Sequence, residues 1–366
     1  MDIRLENVLE YEQPTKYIVK SENYSDDFAL PVLTAGKSFV LGFTDETDGI
    51  CKASESPVII FDDFTADCKY VDFDFKVKSS AMKILHKANT EDNLKYYFYA
   101  MQAIDYTPFS HKRVWISEYS KFKIKNRSIA EQNNIVKELD TVATAIDNAK
   151  QRLNALDELV KSRFIEMFGD IRISSIFPNI ALENFAQIGS SKRVHAADYV
   201  ESGVPFYRSK EIIELGNGQE PSVELFISKK QYESIKKTNG VPCKGDILMS
   251  AVGTIGKMWI VDGRKDFYYK DGNIISIHSD ETNPIYLKEA LANLIDDFKS
   301  ANVAGSAYSA LTIVKLKKMT VPMPPMSIQN EFADFVKLID KSKFIVQKQI
   351  DDLQELLDSK MDEYFG

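Results

Sequence analysis

Residues 116–169 recur as residues 313–366, a constant 197 positions later, and this duplication limits what the chain can fold into more than any other feature. Eleven of the 54 paired positions are identical, among them Gln132-Asn133 over Gln329-Asn330 and Phe168-Gly169 over Phe365-Gly366. The apolar pattern matches better than the letters. Ile135, Leu139, Val142, Ile146, Ala149, Leu153, Leu156 and Val160 step alternately by four and three, as a heptad seam does. At the same offset the second copy reads Phe332, Val336, Ile339, Lys343, Val346, Ile350, Leu353 and Leu357, so one lysine interrupts a shared seam. Each copy predicts a helix of roughly 40 residues, about 60 Å long at 1.5 Å per residue.

A period near 200 residues is too long for a solenoid unit, whose repeats run from about 20 to 50 residues. It reads as a duplicated globular segment, each copy followed by a long helix. An apolar seam does not stay in water, because burying each aliphatic side chain contributes about 1.5–3 kcal/mol. The second helix is therefore expected to return antiparallel along the first. The expected fold is α/β (α+β): globular domains over 1–127 and 171–325, spacer helices over 128–170 and 326–366, the whole a pseudo-two-fold object resembling a symmetric dimer fused into one chain.

With 366 residues, 44% apolar and 11% aromatic, the chain is long enough for two domains with real cores. No run approaches the roughly 18 apolar residues of a membrane helix, and Met1-Asp2-Ile3-Arg4-Leu5-Glu6 is too acidic for a signal peptide, so a soluble, cytoplasmic protein without membrane contact is expected. Cys51, Cys68 and Cys243 form no C-x-x-C pair and suggest a reducing compartment. His86, His111, His195 and His278 are scattered without metal-ligand spacing, so no metal site is expected. Of the net charge of −8, −6 falls on residues 1–115, +1 on 116–180, +1 on 181–320 and −4 on 321–366. Such a balance argues against strong nonspecific attraction to phosphate, so affinity for nucleic acid needs local basic loops or basic partners.

Around Val204-Pro205-Phe206-Tyr207, Asp246-Ile247-Leu248-Met249, Trp259-Ile260-Val261 and Asn273-Ile274-Ile275-Ser276-Ile277 the second segment reads as short strands. Asn283-Pro284 reads as a helix cap followed by proline at the first helical position. The first segment follows the same order: Leu5-Glu6-Asn7 parallels Leu182-Glu183-Asn184, Leu30-Pro31 parallels Val204-Pro205, and Val58-Ile59-Ile60-Phe61 parallels Ile247-Leu248-Met249-Ser250.

Tempting catalytic motifs fail on their spacing. Gly256-Lys257 and Gly36-Lys37-Ser38 resemble a phosphate-binding loop, but the required glycine five positions earlier is Ala251 in one and Pro31 in the other. A strand, not a helix, is also expected after the first. Asn283-Pro284-Ile285-Tyr286 resembles the Asn-Pro-Pro-aromatic motif of adenine methyltransferases, with one proline missing and no glycine-rich cofactor loop before it. Helix capping explains the Asn-Pro pair, and no catalytic residue is assigned.

What remains is a set of polar loops suited to DNA. In the second segment they hold Ser190, Ser191, Lys192 and Arg193; Arg208 and Lys210; Ser250, Gly253, Thr254 and Lys257; and Tyr308 with Ser309. In the first they hold Thr34, Lys37 and Ser38; Thr65; and His111, Lys112 and Arg113. Arg and Lys grip guanine edges or phosphates, Ser and Thr serve either, and Gly permits close backbone approach. Their recurrence at equivalent places in both repeats carries the case.

The motifs in combination resemble the DNA specificity subunit of type I restriction-modification systems. They are Leu182-Glu183-Asn184, Gly203-Val204-Pro205-Phe206-Tyr207-Arg208, Lys244-Gly245-Asp246-Ile247-Leu248-Met249-Ser250, Gly253-Thr254-Ile255-Gly256, Ala307-Tyr308-Ser309-Ala310-Leu311, and Val321-Pro322-Met323-Pro324-Pro325 before Gln329-Asn330-Glu331. The resemblance covers essentially the whole chain. Departures lie in the first half, where Lys125-Asn126-Arg127-Ser128 replaces the proline-rich lead into the helix and Phe64-Thr65-Ala66-Asp67 replaces the Gly-Thr-Ile-Gly turn.

The resemblance implies a noncatalytic subunit with two target recognition domains, each reading one half of an asymmetric, bipartite site in double-stranded DNA, with the helices setting the gap. It implies two methyltransferase subunits on the helical scaffold and restriction (nuclease) subunits joining them, with S-adenosylmethionine, ATP and magnesium held by those partners and no cofactor in this chain. A specificity subunit for a fused type II nuclease-methyltransferase shares the plan, and a coiled-coil adaptor without DNA reading shares the helices alone.

Overall fold

The computed structural model describes residues 2–36, 38–109, 113–171, 174–302 and 311–366. It divides into two compact units, Met1–Lys150 with Gln347–Gly366, and Gln151–Val346. Two helices of 40 residues, Ile129–Phe168 and Met326–Phe365, each pass through both units, and their bounds differ by the expected 197 at either end. The compact units thus divide each helix rather than ending where it begins.

All sixteen seam positions are buried or half-buried, so the four-three spacing identifies the packed face. Within the second unit Asp157 pairs with Lys343, Arg163 lies 3.3 Å from Glu331, and the Phe164 ring meets Phe332. The partner's number falls as the central helix advances, so the segments are antiparallel. In the first unit Lys360 and Tyr364 both reach Glu138, at 2.6 and 2.7 Å, and Lys125 reaches the carbonyl oxygen of Gly366. Lys360 and Arg163 are equivalent across the repeat, and Arg163 also lies over the Phe335 ring at 5.9 Å. The interrupting Lys343 is accommodated because its ammonium leaves the seam for Asp157 and Asp340.

Each unit is built on a four-stranded antiparallel sheet of one topology. In the first the spatial order is Leu9–Glu12, Met82–Lys87, Val58–Asp62, Cys68–Val71. In the second it is Gln187–Gly189, Ile274–His278, Ile247–Ser250, Met258–Ile260. A smaller sheet follows in each, where Leu30–Leu33 runs parallel to Lys76–Val77 and Val204–Tyr207 runs parallel to Tyr268–Tyr269. A two-stranded ribbon leads into each long helix, Asp2–Arg4 with Lys123–Lys125 and Asn179–Ala181 with Thr320–Pro322. The mixed α/β reading holds, but the pairing register shifts the expected correspondence by one residue, setting Ile59–Asp62 rather than Val58–Phe61 on Ile247–Ser250. The second unit adds the helices Ser209–Gly216 and Lys229–Thr238, which explains why the two segments differ in length.

The lead into the central helix replaces proline with a capping box. The Ser128 hydroxyl donates to Glu131 Oε2 at 2.7 Å, and the Ser128 N–H donates to the same oxygen at 2.9 Å. The turn after Val58–Asp62 makes a different compromise: Ala66 sits at φ 63°, where Gly253 and Gly256 of the equivalent turn sit at 75° and 81°. A Cβ in that region costs roughly 1–2 kcal/mol, against about 0.5–1 kcal/mol of extra chain entropy for glycine. Ala66→Gly is expected to stabilise the first unit by about 0.5–1 kcal/mol, read as a higher urea midpoint, and an unchanged or lower midpoint would refute the strain.

Candidate nucleic-acid interface

In the second unit backbone and hydroxyl hydrogen bonds bring three of the polar loops to one end of the sheets. The Ser190 hydroxyl donates to Ile274 O and accepts from Gly272 N–H, at 3.4 and 3.2 Å. Lys192 N–H donates to the Tyr268 hydroxyl at 2.7 Å, and burial holds that phenol above its ordinary pKa, so it stays a neutral acceptor. Ala251 N–H donates to Asn273 O at 2.8 Å, tying the 250–257 turn to the same 270–274 connection. Lys270 N–H reaches Tyr207 O at 2.9 Å, which joins the Arg208 segment. Lys192, Arg193, Lys210, Gly253, Thr254 and Lys257 are exposed there, and Ser191 is half-buried.

Two of the expected contacts are frame rather than surface. Ser250 is fully buried, and its hydroxyl bonds to the carbonyls of Thr254 and Lys257 and accepts from Lys257 N–H, so it shapes the turn and cannot face a base edge. The Arg208 guanidinium is held by the fully buried Glu211 at 2.7 Å and by Glu224 at 2.9 Å, the first of which chiefly pushes its pKa up. Arg208 caps Ser209–Gly216 and is occupied. Lys210 shares Glu224 at 3.1 Å and Arg193 reaches Asp271 at 2.8 Å, but both stay exposed, so their ion pairs are weak enough to be exchanged for phosphate.

The first unit repeats the convergence. Asp62 Oδ1 accepts from Phe64 N–H and Thr65 N–H at 2.8 and 3.2 Å, leaving Thr65 exposed at the turn. Asp63 joins this turn to Ala81 and to Val114, just past the exposed Arg113. Lys78 N–H bonds to Leu33 O at 2.9 Å, linking the same end to Thr34, whose hydroxyl closes the loop on Ser38 O at 2.7 Å. Lys37, His111, Lys112, Tyr308 and Ser309 lie outside the described residues.

Sequence reasoning missed a device that the two units share. The Asn93 N–H donates to Gln132 Oε1 at 2.9 Å, its side-chain amide donates to Asn133 Oδ1 at 2.8 Å, and its own Oδ1 caps the helix at Lys95 N–H. Asn283 does the same with Gln329, Asn330 and Ile285, at 2.8, 2.8 and 2.9 Å. Tyr96 and Tyr286 then donate to the carbonyls of Lys125 and Pro322, which occupy equivalent positions in the two copies. The Asn-Pro-Ile-Tyr segment is therefore half of the clasp that fixes the second domain on its long helix, as Asn93-Leu94-Lys95-Tyr96 is in the first. Tyr286 is fully buried, with no access to a flipped base. The signal was present in the invariance of Gln-Asn across the repeat, but the partners Asn93 and Asn283 precede the duplicated stretches and do not keep their constant offset. Gly256-Lys257 leads into the strand Met258–Ile260, as the rejection of a phosphate loop requires.

Among the described residues no group of three or more His, Cys, Asp or Glu could hold a metal, and no helix is long and apolar enough to cross a membrane.

Residues 177–355 match the model of the type I restriction modification DNA specificity domain. A type I restriction enzyme specificity subunit of Escherichia coli is 47% identical over 162 residues, which span 41% of this chain and only 40% of that relative. A putative type I specificity subunit of Haemophilus influenzae is 24% identical over 298 residues, 78% of this chain and 74% of that one. The crystal structure of a type I restriction-modification S subunit from M. genitalium shares the fold, with a TM-score of 0.57 at 15% identity over all of this chain and 96% of that one.

Proposed function

We propose that this chain, whose residues 177–355 match the type I restriction modification DNA specificity domain, is the noncatalytic reader of a restriction-modification complex, each unit contacting one half of a bipartite site in double-stranded DNA. The observation that carries this reading is the twofold convergence of exposed polar loops, at Arg193, Thr254 and Lys257 in one unit and at Thr65 and Arg113 in the other, at the same end of the same sheet topology. Two methyltransferase subunits dock along the paired helices, since a duplicated surface offers equivalent settings to two copies of one partner. Nuclease subunits join them, and S-adenosylmethionine, ATP and magnesium belong to these partners. A chain of net charge −8 relies on them for much of its grip on phosphate.

Selection of bipartite duplexes from a random library by the chain with its methyltransferase partner tests the reading. Arg193→Ala or Lys257→Ala is expected to cost about 1–3 kcal/mol and relax one half-site if the side chain meets a base edge, or to weaken all sequences alike and reduce the salt slope by about 1 if it meets phosphate. A preference that changes in both halves at once would contradict two independent heads.

A further inference from the structure

Asp63 ties together three segments of the first unit at the candidate DNA end. Its N–H donates to Ala81 O at 3.4 Å, its carbonyl accepts from Val114 N–H at 3.0 Å, and its Oδ1 accepts from Trp115 N–H at 2.9 Å. Its other carboxylate oxygen lies 3.3 Å from Lys83 Nζ, and both residues are 1% exposed. The contact is ionic, without a hydrogen bond of good geometry to Oδ2, and Lys83 Nζ stands 5.3 Å from the Tyr11 ring centre. For two charges taken out of water this is poor compensation.

The second unit shows what the same frame does without them. Phe61 pairs with Lys83 and Asp62 with Met82, while Met249 pairs with Ile275 and Ser250 with Ile274. This register sets Lys83 on Ile275 and Asp63 on Ala251, and the backbone agrees, since Ala251 N–H bonds to Asn273 O as Asp63 N–H bonds to Ala81 O. Ala251 and Ile275 are both 3% exposed. An apolar pair of this kind usually matches or exceeds a buried ion pair in stability, so stability does not account for the charges. What Ala251 cannot do is accept a hydrogen bond in its side chain. Asp63 does so from Trp115, two residues past the exposed Arg113.

We propose that the buried Asp63–Lys83 pair is a positioning device for DNA recognition: Lys83 orients the Asp63 carboxylate, which holds Arg113 against the Asp62–Asp67 turn, and the base preference of the first half-site depends on it. This rests on the reading of each unit as a DNA-contacting head. Neither residue touches DNA.

The test uses the full chain with its methyltransferase partner and bipartite library selection, with thermal melting in parallel. The variants are Asp63→Asn, Lys83→Met, the double Asp63→Ala/Lys83→Ile that copies the second unit, and Arg113→Ala. Each is expected to relax preference by about tenfold at the same base pairs of the first half-site and to leave the second half unchanged. The double variant is expected to recover the melting temperature that the single variants lose, without recovering the preference. A double variant that melts and selects as wild type would reduce the pair to packing and overturn the proposal. So would Arg113→Ala relaxing different base pairs from Asp63→Asn, a comparison that stands even if the double variant fails to fold. Selection of no bipartite site by the wild-type chain would overturn the two-head reading itself, and the proposal with it, before any variant is made.

Discussion

Phe332→Ala is expected to destabilise the second unit by about 3–5 kcal/mol, the usual cost of emptying a fully buried aromatic site. The ring is completely buried and meets Phe168 at 5.3 Å, Phe164 at 5.6 Å and Tyr286 at 6.4 Å, all nearly edge to face. Three of these four rings belong to the two long helices and the fourth is the tyrosine of the clasp, so the cavity opens where domain and helices meet. Each unit contains one tryptophan, Trp115 or Trp259, which lets the two be followed separately. Fluorescence of Trp259 in a Trp115→Phe background should show the loss. Its equivalent in the first unit is Ile135, 7% exposed, where alanine is expected to cost about 2–5 kcal/mol and to be reported by Trp115. A Phe332→Ala chain whose Trp259 transition is unmoved would mean that the ring cluster is not what fastens the second domain.

Inserting one heptad after Ala149 and another after Val346 is expected to shift the preferred gap between half-sites by about three base pairs. Seven residues at 1.5 Å lengthen each helix by about 10 Å while keeping the seam in phase, and base pairs rise about 3.4 Å along a strand. The DNA must also absorb about a third of a turn, so affinity falls even where the new gap is preferred. A four-residue insertion is expected to do worse, because it introduces a stutter. The measurement is selection from sites of variable gap by the complex with its methyltransferase partner. An unchanged preferred gap in the folded, paired-heptad variant would end the proposal that the helices set the spacing.

Periodicity made the helices legible, because a four-three spacing sustained over so many turns has one structural solution and the duplication tests it twice. The sheet order was legible where strands carry runs such as Val58-Ile59-Ile60-Phe61. Side-chain commitments were not. Arg208 and Ser250 belong to residue types that usually face solvent, and only the fold brings Glu211 and Glu224 to the one and the Thr254 and Lys257 carbonyls to the other. Lys83, between Met82 and Ile84, has the alternation of a half-exposed strand, and the carboxylate that allows its burial comes from Asp63, on the far side of two strands in sequence. The clasp joins Asn93 to Gln132 and Asn283 to Gln329, segments too far apart along the chain for any local pattern to connect.

The first unit is completed by residues 347–366, with Leu357, Met361, Tyr364 and Phe365 packed on its core and Phe365 5.4 Å from the Tyr96 ring. The second is continuous, from residue 151 to 346. During synthesis the first unit therefore waits, with that apolar surface uncovered, until the whole of the second has been made. At about 5–20 residues per second this lasts about 10–40 s. The second unit is free to fold as it emerges, so the unit that begins first is closed last, and its exposed core is the point at which a chaperone would be needed.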